Sequence, residues 1–323
     1  MSYSLPPSLR DLSIDLSPYT EEAEKHTRQW LKNLGLEDNS HAAHQRDIYM
    51  PGLYAGYMWP YATRDDLNIL SDLTGWFSCQ DDVADEELGR DPVALEKAIR
   101  NVQSAITDTR RKPCGALAMG LADIVRRASV DCPEQWTQRT VEQCSSYLYP
   151  CLRAAIHHIE GTQPASQDFE AIWRNAGGFQ VCVEFTYWVT QVHLSSTIYY
   201  CSVWQELRRL TLNILKAVND LLSFSMMENP DEDVYNLLTH LRHHQAYSAD
   251  QAAAEVGCRL EEWADRFLKI QTELPRELER FNCDDGVREQ VVRCAEALKI
   301  QWHGNIGWHL AVPRYKEVRF QQS

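Results

Sequence analysis

Residues 75–89 read GWFSCQDDVADEELG. Five carboxylates, Asp81, Asp82, Asp85, Glu86 and Glu87, fall within seven residues, directly after an apolar patch containing Trp76 and Phe77. Like charges packed this closely repel unless something positive sits among them, whether counterions or metal. Helical periodicity over 65–87 puts the cluster at the C-terminal end of its helix. The helix dipole disfavours negative charge there, whereas Asp65 and Asp66 sit at the end where acids are favoured. Asp81 and Asp85 then share a face, with Asp82 about 100° round the axis. Such a ladder of hard oxygens suits magnesium or manganese. The bland alternative is a solvated acidic helix end.

Working outward, period-3.6 patterns dominate from Pro18 to Val318, and strand-like alternation is nearly absent. Besides 65–87, helices are expected over 20–35, 92–109, 115–130, 134–160, 166–176, 179–195, 198–226, 232–243, 248–281 and 286–311. Breakers separate them at Pro51-Gly52, Gly89, Pro113, Pro133, Gly161 with Pro164, Gly177-Gly178, Asn229-Pro230 and Pro313. No linker, composition shift or repeat divides the chain. It reads as all-α, one domain over 1–323, with helices packed around a central space and the first 14 or so residues loose.

The chain has 323 residues, 44% of them hydrophobic, which is ample for a core. Its formal net charge of −14 argues against non-specific nucleic-acid binding and against an anionic membrane surface. An anionic ligand would therefore need imported positive charge, for which divalent metal is the usual means. Ten cysteines include no CxxC pair, which excludes zinc-ribbon and thioredoxin-like readings; they read as reduced core thiols. The N-terminal stretch lacks a signal peptide's basic and apolar regions, and no run approaches the ~20 apolar residues of a membrane helix. A soluble, cytoplasmic protein is expected.

A second polar stretch, KAVNDLLSFSMMENPDED, spans 216–233. Asn219 and Ser223 are four apart on one helix face, with Asp220 flanking them. An amide oxygen, a hydroxyl and a carboxylate make a second hard-cation site, of lower charge than the first. Leu215, Val218, Leu221, Leu222 and Phe224 make the segment largely apolar, so the embedded polar groups need partners.

DDxxD at 81–85, followed by a near match to NDxxSxxxE that begins at Asn219, in an all-helical chain of this length, resembles the microbial class I terpene synthase family. GTQPASQDFEAIWRNAGG (161–178) resembles its stretch with a diphosphate-sensing arginine before a helix break, and NIGWHLAVPRY (305–315) its C-terminal segment ending in Arg-Tyr. WLKNLGL and YMWPYA resemble its early helices. The motifs follow the family's order over nearly the whole chain.

The resemblance implies a metal-dependent lyase that ionises and cyclises a linear prenyl diphosphate. Asp81, Asp82 and Asp85, with Asn219, Ser223 and Glu228, would hold three magnesium ions (or manganese). Arg174 would sense the diphosphate, Gly177 would be the linker and Gly178 the effector whose carbonyl turns toward the cavity. Arg314 and Tyr315 would hydrogen-bond the diphosphate. Phe77, Phe179, Trp188, Trp302 and Trp308 would line an apolar cavity and face the cation. Farnesyl diphosphate is the favoured substrate, and geranylgeranyl diphosphate the alternative.

One departure stands out. The family's glutamate follows the asparagine by eight residues, but position 227 here is Met and the glutamate is Glu228. On a regular helix, 228 lies about 180° from Asn219, so Glu228 ligates only if the helix absorbs a residue, as in a π-bulge, or unwinds before Asn229-Pro230. Met226-Met227 also replace the basic residue often found there, so the second site would hold its ions less tightly or borrow Asp220. Three other readings compete. A chain-elongating prenyl transferase is disfavoured because NDLLS replaces a second aspartate-rich motif. The others are a helical interaction protein whose second metal site has decayed, and an acidic scaffold. Monomer and homodimer both stay open.

Overall fold

The structure is a computed structural model that describes residues 5–6, 9, 15–37, 40–84, 88–108, 110, 112–224, 233–281 and 284–315, with backbone alone at Ser40 and Arg314. Helices α1 (Thr20–Leu34), α2 (Ser40–Tyr49), α3 (Pro51–Met58) and α4 (Arg64–Asp82) come first. They are followed by α5 (Pro92–Thr107), α6 (Ala116–Ala128), α7 (Glu134–Glu160), α8 (Ser166–Trp173) and α9 (Phe179–Val189). The last five are α10 (Ser196–Tyr199), α11 (Ser202–Ser223), α12 (Leu237–Gln245), α13 (Ala249–Leu278) and α14 (Asp285–Ala311). No strand occurs among the described residues, so the fold is all-α. No described helix is long and apolar enough to cross a membrane.

Most expected helices form, some with altered ends. Helix α7 matches 134–160 because Pro133 precedes it and Gly161 ends it in the left-handed region. Two helices were missed. Pro51, read as a breaker, is the first residue of α3, where its missing N–H costs nothing. Met50, at φ 54°, turns the chain between α2 and α3. The expected 179–195 helix stops at Val189, just before Gln191 adopts a positive φ. The expected 198–226 helix is split between α10 and α11. Within the stretch expected to be loose, Leu5 and Leu9 are buried against the core.

Eight helices close a ring of neighbours. Helix α3 packs on α4, α4 on α6, α6 on α5, α5 on α7, α7 on α9, α9 on α11, α11 on α14, and α14 back on α3. The closing contact is tight, since a Cβ added at Gly304 would sit 2.2 Å from the Tyr57 carbonyl oxygen. Helices α1 and α13 cover the ring outside α4 and α11. Inside, α9 is tied down by Glu184, a fully buried carboxyl that accepts from the Tyr199 hydroxyl at 2.6 Å. Burial pushes its pKa up, against the opposing pull of Arg208 and Arg139.

Candidate active site

Thr63 starts α4 by accepting from the Asp66 N–H at 3.3 Å, with Asp65 and Asp66 in the favourable first turn. From Leu70 to Gln80 every residue is buried; the helix then emerges at Asp81, which is exposed, and Asp82, which is half-buried. The Leu88 N–H bonds the Val83 carbonyl five residues back, a π-type closure just past the two aspartates. At the other site, the sequence asks for such a bulge, or for unwinding, if Glu228 is to ligate. Asp85 and Glu228 lie outside the described residues.

The positive charge that the acidic cluster demands is partly within the chain. Arg46 of α2 is buried, and its guanidinium donates to the Asp82 carboxylate, to Cys79 Sγ at 2.7 Å and to the Ser78 carbonyl at 3.4 Å. Burial raises the Cys79 pKa to about 11 against the pull of Arg46, so a neutral thiol accepts that bond. Asp81 accepts a 2.5 Å bond from the Tyr147 hydroxyl of α7. The Tyr147 ring stands edge-on to Phe77, centroids 5.1 Å apart. Each aspartate is thus oriented by a side chain from a different helix.

The second polar wall ends α11. Between Leu210 and Phe224 only Asn219 and Ser223 escape full burial, so the helix opens one stripe to the outside where the two oxygen donors lie. Asp220 is not available to that stripe. One residue further round the helix, it is fully buried, pairs with Lys216, and accepts from Trp173 Nε1 at 2.7 Å and the Leu237 N–H at 2.9 Å. Burial pushes its pKa up, and Lys216 opposes this. Asp220 holds α8 and the start of α12 against α11.

An aromatic chain joins the walls. Asn219 Nδ2 lies 3.4 Å from His309 Nε2, and the His309 ring is 4.6 Å from that of Tyr315. Trp308 packs on Tyr315, Tyr49 and Tyr54, at 5.5, 5.0 and 4.8 Å, and donates from Nε1 to the Tyr49 carbonyl at 2.8 Å. Burial raises the Tyr49 pKa well above normal, and the negative charge of Asp81 raises it further. Helix α2 carries both Arg46, the partner of Asp82, and Tyr49, from which ring contacts run through Trp308 to His309 and so to Asn219.

At the break between α8 and α9, Gly178 adopts φ 70° and its Cα faces the Phe77 ring, where an added Cβ would lie 3.0 Å away. The Phe179 ring folds over Gly177, at 2.6 Å from an ideal Cβ. The Gly178 carbonyl accepts the Val181 and Cys182 amides at 2.9 and 3.3 Å, so directing it at a substrate requires that first turn of α9 to open. Arg174 donates to Asn213, six residues before Asn219 on α11, at 2.9 Å and to Glu170 at 3.2 Å. The Arg314 side chain lies outside the described residues.

Two expected cavity aromatics lie elsewhere. Trp188 is half-buried against Phe185, centroids 5.8 Å apart, on a different face of α9 from Cys182. Trp302 is 1% exposed and packs on Phe267 of α13, so it faces the outer layer. One cavity of about 350 Å³ opens beside Asp82 and Cys79 between α4, α5 and α6. Another of about 350 Å³ lies beside Arg174, Glu206 and Arg209. Neither is lined by Phe77, Phe179, Trp302 or Trp308, which are packed in the core.

The donor set of two carboxylates, an amide oxygen and a hydroxyl fits a hard divalent cation. Among the described residues no three His, Cys, Asp or Glu side chains converge as a closed metal cage. Arg46, Tyr147, His309 and Lys216 are the residues that sequence reasoning missed. Their partners lie 36, 66, 90 and 4 positions away, and only the last left a local signal, an i,i+4 charge pair.

The molecule is thus an all-helical ring with oxygen donors suited to a divalent cation at the ends of α4 and α11. The family model described as terpene synthase family 2, C-terminal metal binding, matches residues 72–266, more than half of the chain, and the chain belongs to that family. It is thus a terpene synthase, a lyase acting on a diphosphate, and it depends on divalent metal. The chain is 26% identical over 308 residues to pristinol synthase of Streptomyces pristinaespiralis, covering 94% of this chain and 82% of the relative. It is also 26% identical over 316 residues to (+)-T-muurolol synthase ((2E,6E)-farnesyl diphosphate cyclizing) of Roseiflexus castenholzii, covering 95% and 92%. The crystal structure of germacradien-4-ol synthase from Streptomyces citricolor superposes with a TM-score of 0.81 at 20% identity, covering 95% of this chain and 97% of that one.

Proposed function

We propose that this chain cyclises farnesyl diphosphate to a sesquiterpene and releases diphosphate, working as one catalytic unit. The observation that carries the reading is the series of contacts from α2, whose Arg46 pairs with Asp82, through Tyr49, Trp308 and His309 to Asn219. A relative of near-equal length whose name specifies farnesyl diphosphate supports the chain length.

Asp81, Asp82 and Asp85 on one wall, and Asn219, Ser223 and Glu228 on the other, would hold three magnesium ions. Bound there, the metal supplies Lewis-acid stabilisation of the charge developing on the leaving diphosphate. Arg174 exchanges Asn213 and Glu170 for diphosphate oxygens, which its planar fork matches, and Arg314 and Tyr315 add donors from the C-terminal turn. Movement of Arg174 pulls on Gly177 and opens the first turn of α9, freeing the Gly178 carbonyl to face the ionising carbon. Phe77, Phe179 and Trp308 present ring faces worth about 0.5–2 kcal/mol each to the allylic cation. Closing the walls around the substrate excludes water from that cation.

Incubation with magnesium and the ten-, fifteen- and twenty-carbon diphosphates in turn, with products read by gas chromatography and mass spectrometry, tests this. A cyclic fifteen-carbon product from farnesyl diphosphate is expected. A product from geranylgeranyl diphosphate alone would reassign the chain as a diterpene synthase, and no product from any of the three would overturn the reading.

A further inference from the structure

We infer that His309 is a positioning residue that fixes which end of the Asn219 side-chain amide faces the metal site. The inference rests on the proposed metal role of Asn219. His309 is buried at the last turns of α14, and its Nδ1 lies 2.7 Å from the Asn305 carbonyl oxygen. A carbonyl only accepts, so Nδ1 carries a proton; Nε2 faces an amide group that only donates, and so meets it with a lone pair. That lone pair takes the Asn219 Nδ2 amide group at 3.4 Å. With its nitrogen held on the histidine, Asn219 turns Oδ1 the opposite way, into the partly exposed stripe it shares with Ser223. A free asparagine would spend part of its time with the amide reversed, offering the cation N–H groups in place of an oxygen.

The same ring packs on Trp308 and Tyr315, at 4.7 and 4.6 Å, so the C-terminal turn that bears Tyr315 and the asparagine of the second wall share one support. Packing alone is a structural role that Phe could fill. Accepting the amide is not.

The test is the gain in melting temperature on adding magnesium chloride with inorganic diphosphate, measured for wild type, His309→Phe, His309→Gln, Asn219→Ala and the His309→Phe/Asn219→Ala pair. His309→Phe is expected to melt close to wild type without ligands and to lose at least half of the ligand-induced gain. His309→Gln, whose Oε1 also accepts an amide N–H, retains most of it. The double variant loses no more than Asn219→Ala alone, because both changes remove one ligand. If His309→Phe does not fold, His309→Met, which also lacks an acceptor nitrogen, takes its place. A full gain in the His309 variant beside a reduced gain in Asn219→Ala would overturn the positioning role and leave the metal reading standing. A full gain in Asn219→Ala as well would overturn the metal role of Asn219 itself.

Discussion

Asp82 has a buried guanidinium behind it and, in the proposed site, would face a metal in front. The Arg46 side chain is 1% exposed and that of Asp82 is 28% exposed, so the pair is screened on one side only. Removing one partner of a fully buried pair costs about 3–5 kcal/mol, and the exposure of Asp82 brings the expected loss for Asp82→Ala down to about 1–3 kcal/mol. We expect Asp82→Ala to abolish turnover, and Arg46→Met/Asp82→Ala to recover part of the lost stability in urea unfolding without recovering any turnover. Near-normal turnover in Asp82→Ala would reject its metal role. At this scale the sequence showed the anionic half of the arrangement. The aspartates are contiguous and their repulsion is visible in one line of text. Arg46 lies 36 residues upstream on a helix hidden by the Pro51 breaker, so the cation came into view only in three dimensions. Asp220 erred the other way: adjacency to Asn219 suggested a ligand, and a 100° helical step put it into the core.

Gly178 precedes the first residue of α9 and enters the helix from the left-handed region. An L side chain there pays about 1–2 kcal/mol for φ 70°, and its Cβ would also press on the Phe77 ring at 3.0 Å. Gly178→Ala is therefore expected to lower unfolding free energy by about 1–3 kcal/mol and turnover by tenfold or more. Unchanged turnover would separate the start of α9 from the chemistry. The Gly-Gly break was legible because glycine pairs interrupt helical periodicity, and the long helices α7, α13 and α14 were legible from theirs. Short helices α2 and α3 were not, since proline stops a pattern whether it ends a helix or starts one.

Across the whole molecule, the ring from α3 round to α14 brings two helix ends far apart in sequence to one region, linked through the aromatic chain. The all-α class followed from periodicity, and the order of motifs from the family resemblance. Which aromatic side chains face inward did not, because a Trp at helical spacing fits either side of a helix until its neighbours are known, as Trp188 and Trp302 show. The central claim is that both walls bind one metal–diphosphate cluster. Crystals grown with manganese and inorganic diphosphate, measured at the manganese absorption edge, test it most directly. The account predicts anomalous peaks within ligand distance of Asp81 or Asp82 and of Asn219 with Ser223, all around a single diphosphate. Ions bound at one wall only, or a diphosphate lodged elsewhere in the fold, would contradict it.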